Sequence, residues 1–195
     1  MTSNPGQLNP AQLSPAQPNP AQLNPGQLTT AAPVAEAGDD APERSKQRLL
    51  DRACESAPEL SGLLRTYYRH VPAEEIAADE AGELAGALRA HHALAKTRPS
   101  GRPLVRILNP TREGHGWASS ATVLQTVTDD MPYLVDSVIA ELSRAGAEVQ
   151  RVIHPIVVVR RDVAGELRET LPEADPSAPP PDAFGSPGCT SRSTG

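Results

Sequence analysis

A proline-containing repeat of five residues fills the start of the chain and limits how much of it can fold. Its units run from residue 4 to residue 28 and read NPGQL, NPAQL, SPAQP, NPAQL and NPGQL. Each unit carries a proline, which interrupts helix and strand hydrogen bonding, and its few apolar side chains cannot offset the entropy of ordering the backbone. We predict that residues 1–44 form a disordered extension. The alternative is a segment that a partner captures in polyproline form.

The positions of the proline and aromatic residues bound the part of the chain that can fold. Most of the 21 prolines lie before residue 45 or after residue 170. Four of the five aromatic residues lie between these limits, namely Tyr67, Tyr68, Trp117 and Tyr133. The foldable part is therefore about residues 46–171, which is enough for one modest core.

Charge and cysteine content exclude several classes of protein. The formal net charge is −6 with acids and bases interspersed, so the sequence lacks the basic footprint of a nucleic-acid-binding protein. No apolar run approaches the roughly 20 residues of a membrane span, and the first residues lack the pattern of a secretory signal. Cys54 and Cys189 do not make a disulfide framework. We predict a cytoplasmic protein that binds neither nucleic acid nor membrane.

Residues 45–98 have the spacing of helices. Apolar side chains recur at helical intervals in two phases that Pro58 separates, and Pro72 ends the second phase. Residues 73–98 continue with leucines among alanines and acids, which indicates one or two further helices. We predict a helical segment over residues 45–98.

The pattern then changes to strands around one strongly amphipathic helix. The predicted strands are LVRIL (104–108), ATVLQTVT (121–128), EVQRVIHPIVVVRR (148–161) and LRETL (167–171). A helix over residues 132–145 separates the second strand from the third, and we expect a bulge or an edge position at Pro155. The order strand, helix, strand, turn, strand predicts an α+β sandwich in which this helix crosses over and packs on the sheet.

Two adjacent acids, Asp129 and Asp130, stand where the second strand gives way to that helix. Adjacent side chains at a strand end point to opposite sides, so they make a poor acid–base pair. With Pro132 in the first helical turn, they complement the helix dipole. The alternative is a ligand corner, because a helix N-terminus offers free N–H groups to an anion such as a carboxylate.

The remaining reactive side chains lack the spacing of a site. His91 and His92 are adjacent and diverge by about 100° on a helix, so they cannot comfortably share one ion. The other histidines lie in unrelated elements, and no nucleophile has a local signature. We predict no metal site and no catalytic residue.

Three stretches of the chain resemble one protein family. LLRTYYRHVPAEEI (63–76), LVRILNPTREGHGWASSATVLQTVTDDMPYLVDSV (104–138) and VIHPIVVVRRDVAGEL (152–167) are similar to the N-terminal region of the very large bacterial NAD-specific glutamate dehydrogenases. The resemblance spans about residues 45–182. It implies an ACT-like (ferredoxin-like) segment over residues 99–171, which follows the N-terminal helices and is incomplete because a later helix and strand of that plan are missing.

The resemblance also implies a function. The parent enzymes deaminate glutamate oxidatively to 2-oxoglutarate and ammonia with NAD, in amino-acid catabolism, and their catalytic parts lie far downstream. We therefore expect a truncated regulatory or structural region that is inactive alone, holds no cofactor itself, and associates with the rest of the dehydrogenase chain or its oligomer. The alternatives are a stand-alone ACT-like module that binds an amino acid, and a proline-rich interaction protein.

ACT domains often bind an amino acid at a D-x-P-G-L corner, which this sequence matches as DMPYL (130–134). The resemblance implies an effector site formed by Asp129, Asp130, Met131, Pro132 and Tyr133. Tyr133 replaces the glycine, and its side chain would crowd the place where a ligand carboxylate meets backbone N–H groups.

Residues 172–195 are rich in proline and small residues, and we predict a disordered tail. Its last ten residues, SPGCTSRSTG (186–195), can be encoded by a string that reads Glu-Ser-Trp-Met-His-Val-Glu-Ile-Asp in another frame. The resembled family continues with such a run. We therefore expect residues 186–195 to be out of frame, through a frameshift or a sequencing error.

Overall fold

The computed structural model describes residues 40–194, with side chains up to residue 183. Most of the predicted extension, residues 1–39, lies outside this range. Helix α1 (Ala41–Ser56) takes in residues 41–44, which we predicted as disordered. The reason is local: a proline and an acid occupy its first turn, where the missing N–H has no cost and the acid complements the helix dipole.

Helices form the first layer, as the apolar spacing predicts. After α1 come a 3₁₀ turn (Pro58–Leu60), α2 (Ser61–Tyr68), the single turn α3 (Ala73–Ile76) and α4 (Ala81–Leu94). Helices α3 and α4 correspond to the one or two helices expected after residue 72. The largest apolar cluster joins this layer to the sheet at Ile153, Val157 and Val159.

The sheet follows, with one helix inserted. Its elements are β1 (Leu104–Leu108), the single turn α5 (Arg112–His115), β2 (Thr122–Val127), α6 (Leu134–Arg144), β3 (Glu148–Ile153), β4 (Ile156–Arg161), β5 (Leu167–Leu171) and β6 (Phe184–Thr194). The strand order is β1-β2-β6-β4-β5, with β3 also paired to β6 and every pair antiparallel. Strands β2 and β3 are therefore parallel to each other, as a crossover through α6 requires. The predicted α+β order is confirmed.

Strand β6 differs from the predicted disordered tail. It lies inside the sheet, with β2 on one side and β4 and then β3 on the other. Gly188 to Ser193 pair with β2, so Pro187, which has no N–H to donate, lies just outside that ladder. Because the alternation of apolar and polar residues is absent here, only pairing with distant strands identifies the segment as a strand.

The predicted strand 148–161 is interrupted rather than bulged at Pro155. β3 ends at Ile153 and β4 begins at Ile156. The register with β6 continues across the gap, because Ile153 pairs with Thr190 and Ile156 with Pro187, three residues further along each strand. The bulge lies instead near Val149.

Helix α6 begins later and packs less than predicted. It starts at Leu134, after Tyr133, whose backbone is left-handed with φ of 61°. The helix lies next to β3, yet no residue of α6 is fully buried. On β1, Val105 and Ile107 are 61% and 68% exposed. Among the described helices, none is both long and apolar enough to cross a membrane.

Candidate functional site

The two acids at the end of β2 take different directions. The Oδ1 atom of Asp129 accepts a hydrogen bond from Nη2 of Arg98, forming an ion pair. Asp130 is exposed. The expectation that the two carboxylates do not act as an acid–base pair stays a prediction.

The rest of the corner lies at the surface. Met131 is 48% exposed and Tyr133 79% exposed. Tyr133 is the only non-glycine residue with positive φ in the described chain, and it stands where the D-x-P-G-L pattern has glycine. The backbone conformation at this position explains why the pattern has glycine there, since glycine adopts a positive φ without strain. The assignment of residues 129–133 to an effector stays a prediction.

The ion pair leads to an arginine that is almost wholly buried. The side chain of Arg98 is 5% exposed. Its Nη1 atom donates to the carbonyl of Arg102 at 3.2 Å, while its buried Nε–H has no acceptor among the described residues. Sequence reasoning missed Arg98, because its partner Asp129 is 31 residues away in the chain.

A second arginine, Arg161 at the end of β4, lies beside Arg98. Its Nη1 atom donates to the carbonyls of Ala95 and Gly165, at 2.8 and 3.0 Å, and its buried Nε–H also lacks a described acceptor. Burial lowers the pKa of Arg161, the charge of Arg98 lowers it further, and Asp129 opposes this change. The two guanidinium groups of Arg98 and Arg161 are thus held close together in a partly buried environment.

A cavity of about 330 Å³ opens beside this cluster. Its walls include Arg98, Ser100, Asp129, Val159, Arg161 and Asp162. Of the predicted effector residues, only Asp129 contributes to it, and residues 130–133 lie outside. The predicted corner and this cavity therefore share one carboxylate.

The turn after β4 fixes the cavity wall. The N–H of Arg98 donates to the carbonyl of Gly165 at 2.9 Å. Gly165 has φ of +85°, and a Cβ atom there would overlap the carbonyl oxygen of Arg98. Only glycine allows this close approach.

A buried histidine lies elsewhere, between α4 and the sheet. The Nε2 atom of His91 is 3.0 Å from the carbonyl oxygen of Thr126, and its Nδ1 atom is 2.9 Å from the hydroxyl of Tyr67. Because a carbonyl only accepts, Nε2 carries the proton and Nδ1 accepts from the tyrosine. Burial lowers the pKa of His91 to about 4; Arg106 and His92 add to this shift, and the bond to Thr126 opposes it.

The surroundings of His91 are structural. The adjoining cavity holds only about 50 Å³ and is lined mostly by apolar side chains, among them Leu63, Leu88 and Val157. In the described part of the chain, no three His, Cys, Asp or Glu side chains are grouped so that they could hold a metal ion.

Comparison with known proteins shows which family this chain belongs to. A family model described as "Glutamate dehydrogenase, ACT1 domain" matches residues 63–183. The NAD-specific glutamate dehydrogenase of Halomonas elongata is 35% identical over 146 residues, and that of Pseudomonas aeruginosa 31% identical over 144 residues. Each alignment covers 74% of this chain and 9% of the relative. No solved structure matches the chain.

The helices and antiparallel sheet define an α+β protein of ACT-like architecture. The chain belongs to the glutamate dehydrogenase ACT1 domain family. The resemblance stated from the sequence is thereby confirmed.

Proposed function

We propose that the chain acts as an N-terminal regulatory or structural region of an NAD-dependent glutamate dehydrogenase and has no catalytic activity alone. The supporting observation is that the ACT1 domain model matches residues 63–183, while the aligned part is only 9% of each relative. The parent enzyme would deaminate glutamate to 2-oxoglutarate and ammonia in the cytoplasm, with NAD bound outside this chain. The partner of the chain is the remainder of the dehydrogenase or its oligomer.

The side-chain arrangement supports a non-catalytic role. The most buried histidine, His91, is held between Tyr67 and Thr126, and the pKa of about 4 keeps it uncharged near neutral pH. Asp129 is engaged by Arg98. Each group thus has a structural partner, whereas a general acid or base has to reach a substrate.

A regulatory role includes binding of an amino acid at the corner of Asp129, Asp130, Met131, Pro132 and Tyr133. Two observations favour it: the family is an ACT1 family, and Tyr133 has the left-handed backbone that suits the glycine of D-x-P-G-L. The same observations favour the second candidate, a stand-alone module that binds an amino acid and regulates another protein.

An exchange of segments tests the regulatory or structural role. In the Halomonas elongata enzyme, the segment that aligns with residues 63–183 of this chain is replaced by those residues, or is deleted. The proposal expects the exchanged enzyme to keep its assembly, measured by light scattering, and its turnover within a few-fold. It expects the deletion to alter assembly or the response of turnover to added amino acids. A deletion that changes neither property would contradict the proposal.

A further inference from the structure

The cavity beside Arg98 contains a second arginine, Arg161, that forms no ion pair with a described carboxylate, although Asp129 and Glu166 are near enough to raise its pKa. Asp129 pairs with Arg98. The other acid of the wall, Asp162, pairs with Arg168 through Oδ2, at 2.6 Å from Nη2. Arg161 donates only to backbone carbonyls, and among residues 40–183 no carboxylate lies within ion-pair distance of it.

Asp162 is not free to turn toward Arg161. Its Oδ1 atom accepts the N–H groups of Ala164 and Glu166, each at 2.9 Å, so the carboxylate builds the turn. These bonds and Arg168 lower the pKa of Asp162, with the bond to Glu166 contributing most. The acid is committed to the turn, so it forms no ion pair with Arg161.

The arginines also have unused donors. The Nε–H groups of Arg98 and Arg161 are both buried, and neither has an acceptor among the described residues. Buried polar groups are rarely left unbonded, because each unmade hydrogen bond costs free energy. A guanidinium presents its N–H groups as a planar fork that matches the two oxygens of a carboxylate.

The backbone holds these groups in place before any ligand arrives. The carbonyl of Gly165 accepts both the N–H of Arg98 and Nη1 of Arg161, which ties the two residues to one atom. The pairing of β4 with β5 shifts register between Arg160 and Arg161, and such irregularities re-aim side chains. A preorganised site loses little conformational entropy when it binds.

We propose that the cavity lined by Arg98, Asp129 and Arg161 binds a small monocarboxylate, with the carboxylate group placed at the guanidinium of Arg161. Arg161, which has no ion pair of its own among the described residues, favours an anionic ligand. The cavity of about 330 Å³ has room for a small molecule. Residues 130–133 do not line the site, and binding there does not depend on the proposed role in the dehydrogenase.

Nuclear magnetic resonance of the arginine Nε–H groups in the full chain tests this site. Sodium acetate replaces sodium chloride at constant ionic strength, and the Nε–H signals of Arg98 and Arg161 are assigned from the variants R98K and R161K. We expect both signals to shift in a saturable manner. Arg144, whose Nε–H donates to Glu141 at the surface, serves as the internal control and should not respond.

The variants complete the test. R161K keeps the positive charge but removes the planar set of guanidinium N–H donors. We therefore expect acetate to bind on the order of tenfold more weakly, measured at the Arg98 signal. If R161K does not fold, the R98K variant read at Arg161 serves in its place. Unshifted Nε–H signals, a shift of equal size at Arg144, or unchanged affinity in a folded variant would each overturn the proposal.

Discussion

Arg98 and Asp129, 31 residues apart in the chain, form an ion pair in which the arginine side chain is 5% exposed and the aspartate 49% exposed. The pair joins the segment before β1 to the corner between β2 and α6. It also gives Asp129 a structural role, whereas the adjacent acid, Asp130, is exposed to solvent.

The variant D129N should destabilise the protein, because it leaves a buried guanidinium without its counter-charge. Removing one partner of a fully buried pair costs about 3–5 kcal/mol. Since Asp129 is half exposed, we expect about 1–2 kcal/mol in the free energy of unfolding, measured with urea. The matched control D130N should change it by less than about 0.5 kcal/mol. Equal effects of the two variants would mean that the ion pair contributes nothing.

His91 should make stability depend on pH between 6.5 and 4. Its pKa in the folded protein is lowered from 6.5 to about 4, so the unfolded chain binds more protons in this window and folding weakens as pH falls. The shift corresponds to about 3 kcal/mol, lost progressively from pH 6.5 to pH 4.

The variant H91Q isolates this contribution. Glutamine can donate to the carbonyl of Thr126 and accept from Tyr67, but it does not titrate. We expect its unfolding free energy to vary less between pH 6.5 and 4.5 than that of the wild type, whereas H70Q, at an exposed position, should keep the wild-type slope. Parallel pH profiles for wild type and H91Q would contradict the assignment.

Tyr133 should carry backbone strain that glycine relieves. Its φ of 61° is costly for a residue with a Cβ atom, and its side chain is 79% exposed, so little packing is lost on replacement. Y133G should therefore be about 1 kcal/mol more stable than Y133A, by thermal or urea unfolding. Comparing these two variants cancels the loss of the ring. The prediction fails if Y133A is as stable as Y133G.

Two glycines of α4 should respond in opposite directions to alanine. A Cβ atom on Gly86 would overlap that of Trp117 and lie 2.9 Å from its Cγ, whereas one on Gly82 meets nothing within 4 Å. G86A should destabilise the protein by about 1–3 kcal/mol through overpacking. G82A should stabilise it by about 0.5–1 kcal/mol through helix propensity. Stabilisation by G86A would show that Trp117 does not pack there.

The elements that the sequence predicts correctly are those with local periodicity. Apolar spacing predicts α1, α2 and α4, and β-branched runs predict β2 and β4, because each pattern reports one buried face. Strand β6 has no such pattern, and its place depends on partners from residue 122 to residue 159. The late start of α6 depends on the backbone of Tyr133, which spacing does not report.

Of the candidate site, the sequence predicts only the corner between β2 and α6. Asp129 and Asp130 stand out because they are adjacent at a strand end. Arg98 and Arg161 do not stand out in the sequence, because each lies at the end of a segment, where charged residues are common. Their importance arises from burial and from contacts that the fold creates between distant segments.

Glutamate-dependent reduction of NAD by the purified chain tests the proposed function most directly. The appearance of NADH is followed with the Halomonas elongata enzyme assayed alongside. We expect turnover by that enzyme and none by the 195-residue chain, because the catalytic groups and the NAD site are proposed to lie outside it. NADH formation by the chain that requires both glutamate and NAD would contradict the proposed function.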